Sequence, residues 1–260
     1  MTTPTVLVHR DPDELAAAVA ARFITRLTDV QAAQGSASVV LTGGTIAART
    51  YSAVRDSPAR GSVDWRSLDV WWGDERFLPS GDPERNETQV RAALLDSVPL
   101  DPARVHPMPP SDGPDGNDPE AAAQRYANEL AAATRLEDHG SAPMFDLLML
   151  GVGPDGHIAS LFPDRPAVYE TERTVVAVRG APKPPPTRLT LTAPTISGAK
   201  DIWLIVSGED KARAVALALS GAGATQIPAA GASGRMRTLW LLDRAAASQL
   251  PADLVRAASP

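Results

Sequence analysis

Leu15, Val19, Phe23 and Leu27 recur every four residues, so one stripe of a helix is apolar and lies against a sheet. Asp11 is placed as the N-cap of that helix, Pro12 at its first position and Glu14 as the residue closing a capping box. The apolar run at 6–8 predicts a strand before it. Further strands are predicted at 38–41, 69–72, 146–150, 174–178, 188–191, 202–206 and 238–242, with helices over 46–54 and over the alanine-rich stretch 121–136. These strands are short unbroken apolar runs rather than alternations, the pattern of a mostly parallel sheet buried on both faces. The expected fold class is α/β: an open, doubly wound, Rossmann-like sheet with helices on both sides. Two Pro- and Gly-rich segments, 107–119 and 180–186, read as loops. The first is expected to be mobile and the second, just before Arg188, to border the site. Neither is flanked by a shift in composition, so residues 1–260 read as a single domain.

The strand at 146–150 runs into Gly-Val-Gly-Pro-Asp-Gly-His over 151–157. Ligands of an open α/β sheet sit beyond the carboxyl ends of its strands, so Asp155 and His157 are candidates for chemistry. Glycines at 151, 153 and 156 are expected to supply positive φ and room for a substrate. The same letters spell Gly-x-Gly-x-x-Gly, with Glu172 at a plausible distance for a ribose contact. A dinucleotide site needs a helix directly after the last glycine. Here Pro163 and Pro166 leave space for about two turns, and the histidine counts against that reading.

Net charge is -6 across 260 residues, which argues against a nucleic-acid-binding surface. The chain has no cysteine, which removes disulfides, thiolate metal sites and thiol catalysis. His9, His106, His139 and His157 are scattered, without metal-ligand spacing, so no metal is expected. No leader pattern and no membrane-spanning apolar run is visible, and the default expectation is a soluble cytoplasmic protein. Oligomeric state is not readable.

Thr42-Gly-Gly-Thr45 joins a strand to a helix, where free N–H groups and the helix dipole suit an anion, phosphate above all. Arg76, Arg188 and Lys211 fall near strand ends or at a strand-to-helix junction on the same side of the sheet. Lys211, one of three lysines, stands just inside a helix start, where a cation opposes the dipole unless an anion is bound nearby. In Gly-Asp-Glu-Arg over 73–76, Asp74 and Glu75 can neutralise and orient Arg76, leaving its fork for a phosphate or a carbonyl oxygen. Asn86 reads as a helix N-cap before it reads as a ligand contact.

Taken in order, Gly-Gly-Thr at 43–45, Gly-Asp-Glu-Arg at 73–76 followed by Asn86, Gly-Val-Gly-Pro-Asp-Gly-His-Ile-Ala-Ser at 151–160, Arg188-Leu-Thr190 and Gly208-Glu-Asp-Lys-Ala212 resemble the successive motifs of 6-phosphogluconolactonases. The likeness runs from about residue 10 to 245. It implies hydrolysis of a sugar-phosphate lactone, 6-phospho-D-glucono-1,5-lactone, in the oxidative pentose phosphate pathway, without cofactor. By that resemblance His157 is the general acid and base and Asp155 orients it. Arg76 stabilises the oxyanion or fixes the substrate; Gly43, Gly44, Thr45, Arg188 and Lys211 bind the 6-phosphate; Asp74 belongs to the substrate-binding set. The related glucosamine-6-phosphate deaminases share the Asp-Gly-His element, but carry a Phe-Asn-Glu-Pro-like continuation where this chain has Ser160-Leu-Phe-Pro163, and Asp-Glu-Tyr where it has Asp74-Glu-Arg76. Both differences favour the lactonase. A non-catalytic sugar-phosphate sensor is the third possibility. Ile46 and Ala47 stand where many lactonases have proline. No Gly-x-Ser-x-Gly element is present to suggest an acyl-enzyme.

Overall fold

Seven parallel strands form the centre of the computed structural model, in the order β1-β10-β9-β6-β2-β3-β5. They are β1 (Thr5–His9), β2 (Ala37–Leu41), β3 (Leu68–Trp72), β5 (Val105–His106), β6 (Leu147–Leu150), β9 (Asp201–Val206) and β10 (Arg237–Asp243). The structure describes residues 3–135, 138, 140–251 and 254. Every residue of β6 and β9 is buried, as in a sheet covered on both faces. This is the open, doubly wound arrangement expected from the apolar runs. From β2 the chain winds outward to β3 and β5, and from β6 it winds the other way to β9 and β10. The switch point therefore lies between the paired strands β2 and β6.

Helix α1 (Pro12–Gln34) buries Leu15, Val19, Phe23 and Leu27, the stripe its periodicity predicts. The Asp11 carboxylate accepts from the N–H groups of Asp13 and Glu14, and Pro12 occupies the first turn. The expected box closes one residue early: Glu14 accepts from the Arg10 N–H rather than from that of Asp11. Gly35, at φ +81°, ends the helix. Helix α2 spans Thr45–Asp56, α3 Asn86–Ala93, α4 Pro119–Ala132, α5 Ala193–Ser197 and α6 Ala212–Leu219. Helix α4 starts before the predicted residue 121 because Asp118 caps it with Pro119 at the first position, and it ends at Ala132, short of the predicted 136, which itself lies outside the described residues.

The runs at 174–178 and 188–191 do not join the parallel sheet. With β4 (Asp74–Arg76), β7 (Val175–Val178) and β8 (Arg188–Leu191) form a second, antiparallel sheet ordered β4-β8-β7. Gly73 joins the two sheets. Its N–H donates to the Leu41 carbonyl of β2, and its own carbonyl accepts from Leu191 of β8. Strand β3 thus passes into β4 through one residue, and the small sheet stands at the carboxyl edge of the large one. One apolar cluster draws side chains from both, including Val39, Leu148, Val176 and Leu189. Among the described residues no helix is long and apolar enough to cross a membrane.

Candidate active site

A cleft of about 560 Å³ opens beyond the carboxyl ends of β2, β6 and β9, with the small antiparallel sheet as its far wall. Strand β2 delivers Thr42, Gly43 and Gly44 to it, and α2 starts at Thr45 with no side-chain cap, so its first N–H groups are left for a ligand. The turn is pinned from below, because the buried Tyr51 hydroxyl accepts from the Thr42 N–H and donates to the Thr42 carbonyl. Gly44 has φ +102°, and a Cβ at Gly43 would lie 2.0 Å from Asn86 Oδ1. Both glycines are therefore required, one by conformation and one by close approach.

Strand β6 delivers the Asp155–His157 pair. Asp155 Oδ1 and His157 Nδ1 share a hydrogen bond, which leaves Nε2 as the nitrogen available to the cleft. Burial works to raise the Asp155 pKa, but the bond and charge of His157, its backbone N–H and the charge of Lys183 outweigh it and hold the carboxyl down at about 2. The imidazole rests on Phe162, with ring centroids 4.6 Å apart. Of the three glycines expected at positive φ only Gly156 has it, at +83°. Gly153 serves otherwise: a Cβ there would lie 2.1 Å from the His157 ring. No helix follows. Gly153 and His157 close a tight turn, and Ile158 bridges to Leu161, so the arrangement a dinucleotide pyrophosphate requires is not built.

The acidic residues of the 73–76 segment are used differently from the sequence expectation. Neither pairs with Arg76. Asp74 is buried, accepts 2.7 Å from Ser160 Oγ and 3.3 Å from Asn86 Nδ2, and faces the cleft. Glu75 is fully buried and accepts from the N–H groups of Arg76, Asn86 and Glu87, with Arg85 at 3.7 Å. Burial pushes its pKa up to about 7 against those partners. Asn86 is likewise not a side-chain cap; it is the first residue of α3, and its amide donates to the Asp74 carbonyl. Arg76 lines the cleft with one guanidinium nitrogen held by the Glu84 carbonyl.

Lys211 sits at the start of α6 behind a single turn at Glu209–Lys211, paired with Asp210 at 2.9 Å. Arg188 is almost wholly buried, and burial lowers its pKa. Its Nε donates to the Pro185 carbonyl and its Nη2 to those of Lys183 and Pro184, so much of its fork holds the 180–186 loop rather than facing a ligand. That loop does border the cleft, through Lys183. Residue-by-residue reading missed Lys183, Ser160 and Arg49. Lys183 shows only as the charged residue ahead of three prolines, and Ser160 only by its place three residues after His157.

Residues 10–240 match the family described as glucosamine-6-phosphate isomerases/6-phosphogluconolactonase. The chain is 63% identical over 257 residues to a 6-phosphogluconolactonase of Streptomyces coelicolor, covering 99% of this chain and 98% of that one. A 6-phosphogluconolactonase of Mycobacterium tuberculosis is 48% identical, with 94% of this chain and 97% of that one covered. Among solved structures, the 6-phosphogluconolactonase of Trypanosoma brucei superposes with a TM-score of 0.83 at 29% identity, covering 96% of this chain and all of that one. A monomeric glucosamine-6-phosphate deaminase shares the fold, with a TM-score of 0.77 at 22% identity. With most of its length matched and both motif-bearing turns facing one cleft, the chain belongs to the glucosamine-6-phosphate isomerase/6-phosphogluconolactonase family.

Proposed function

We propose that this chain hydrolyses 6-phospho-D-glucono-1,5-lactone to 6-phosphogluconate as the lactonase of the oxidative pentose phosphate pathway, residues 1–260 acting as one cytoplasmic unit. The observation that carries the reading is the pairing, within one cleft, of an uncapped helix start at 43–45 with an imidazole held by a carboxylate. The first suits the 6-phosphate and the second suits ester hydrolysis. Gly43, Gly44 and Thr45, with Lys211, take the phosphate; Asp74 belongs to the wall around the sugar, and Arg188, expected at the phosphate, holds the carbonyls of the 180–186 loop instead.

Opening a δ-lactone requires an attacking water, charge stabilisation at the carbonyl oxygen and a proton for the ring oxygen. His157 Nε2 takes the water proton as the oxygen attacks C1 and returns it to the ring oxygen when the C1–O bond breaks, a role contributing ~10²–10⁴-fold. Asp155 holds the imidazole in the required tautomer and stabilises the imidazolium. Arg76 lines the same cleft and either steadies the oxyanion or fixes the sugar. The reaction needs no redox group and no metal. Among the described residues no cluster of three His, Asp or Glu side chains is placed to hold one.

The deciding experiment is a coupled assay offering the purified protein both 6-phosphogluconolactone and glucosamine 6-phosphate. Lactone opening above the spontaneous rate, with no ammonia released, is expected. Ammonia release without lactone opening would make the chain a deaminase. Binding of 6-phosphogluconate in calorimetry with neither activity would make it a sensor.

A further inference from the structure

Arg49, Arg76, Lys183, Arg188 and Lys211 all bring positive charge to the cleft. Most of that charge is already held by the protein. Arg49 pairs with Asp13 at 2.8 Å and Lys211 with Asp210 at 2.9 Å, Arg76 donates to the Glu84 carbonyl, and Arg188 donates to three loop carbonyls. Among the described residues Lys183, half-buried as a whole, makes no hydrogen bond and no ion pair through its ammonium. A cleft cation that bonds to no protein group is free to pair with negative charge that develops there during the reaction.

The placement is enforced. Ala181 donates 2.9 Å to the Pro186 carbonyl and closes the loop, and Arg188 grips the carbonyls of residues 183–185 at 3.1–3.2 Å. A buried guanidinium, which costs desolvation, is thus committed to backbone that carries one free lysine. The loop also lies on the His157 side of the cleft. The Arg188 guanidinium carbon is 5.7 Å from the centroid of the Phe162 ring, which packs against His157, and the Lys183 charge acts on Asp155.

We propose that Lys183 is a catalytic residue at the reacting end of the substrate, its ammonium facing the lactone carbonyl oxygen, and that Arg188 is the positioning residue that holds the Lys183 loop against the cleft. The proposal rests on the lactonase reading. As the water oxygen bonds to C1 and its proton passes to His157, the carbonyl π pair moves onto the carbonyl oxygen, and the resulting alkoxide pairs with the Lys183 ammonium. When the alkoxide collapses, the C1–O bond of the ring breaks, the ring oxygen takes the proton from the imidazolium, and the acid formed releases its own proton to solvent. Lys183 gains and loses no proton. It is not needed at the phosphate, which lies by the 43–45 turn.

Lys183→Met keeps length and removes charge. It should lower kcat by ~10²–10³-fold while leaving KM, and the affinity for inorganic phosphate measured by calorimetry, within a few-fold. Lys183→Arg should recover part of the rate. An unchanged kcat, or a raised KM together with lost phosphate affinity, overturns the assignment. For Arg188 the test is a double-mutant cycle. Arg188→Met should lower kcat alone and add little in the Lys183→Met background, whereas additive losses mean that Arg188 itself touches substrate and the positioning role is wrong. Should Arg188→Met not fold by circular dichroism, Arg188→Gln replaces it, and the Lys183 arm decides by itself. A wild-type protein that fails to open the lactone overturns the lactonase reading. A wild type that opens it beside a fully active Lys183→Met overturns only the role of Lys183.

Discussion

His157 and Lys211 face the same cleft, and kinetics tests the different tasks proposed for them. On the proposed roles His157→Asn removes proton transfer and leaves the phosphate contacts, so kcat should fall ~10²–10⁴-fold with KM within a few-fold. Lys211→Ala would then remove a charged contact made in ground and transition state alike, worth roughly 1.5–3 kcal/mol, and should mainly raise KM. Spontaneous lactone hydrolysis is subtracted in both. A reversed pattern would exchange the two roles. Asp155 adds a pH signature. Its pKa falls from 3.8 to about 2 in the folded protein, so the stability it contributes is complete above the unfolded value and is lost as pH falls toward 2. Asp155→Asn lacks that arm; urea unfolding between pH 4 and pH 2 should show the wild type losing more stability than the variant, and equal slopes would mean the pair is not formed in solution. The His157 pair was legible because a strand end, glycines and an imidazole stand together in sequence. Glu75 was not, because its partners Arg85, Asn86 and Glu87 lie about ten residues away on another element, and adjacency pointed instead to Arg76.

Elements built from apolar runs were legible, and those built from charge were not. Strand β4 is Asp-Glu-Arg, residues poorly suited to strands, and it forms because Gly73 hands the chain from one sheet to the other beside β8. The runs that became β7 and β8 read correctly as strands but not as members of a separate sheet, since a buried run carries no mark of its partner or its direction. Turns show the same limit. The glycine at 153 was expected to supply a special φ, whereas it makes room for a ring. Gly153→Ala should displace both His157 and Asp155, whose Oδ1 would lie 2.5 Å from the new Cβ, and lower kcat much as His157→Asn does, while the β6 strand remains in place. An active Gly153→Ala enzyme with normal kcat would show that the loop relaxes and that the His157 position is not set by this contact.

At the scale of the whole molecule, the cleft joins two sheets. The 43–45 turn and the Asp155–His157 loop belong to the parallel sheet, while Asp74, Arg76, Lys183 and Arg188 belong to the antiparallel one. Their apolar residues form one cluster, which supports a cooperative unit rather than two. Two consequences can be read in one experiment. In urea, tryptophan fluorescence, which reports on Trp71, Trp72, Trp203 and Trp240 of the parallel sheet and on Trp65 just before it, should fall together with far-UV circular dichroism, which reports on both sheets. A ligand that bridges the sheets stabilises that single transition by RT ln(1 + [L]/Kd), about 2.7 kcal/mol at a hundredfold excess over Kd. With 6-phosphogluconate both probes should therefore shift equally, and Lys211→Ala should need a higher ligand concentration for the same shift. Transitions that separate on adding ligand would mean that it binds one sheet alone, and the cleft would then not be the shared site described above.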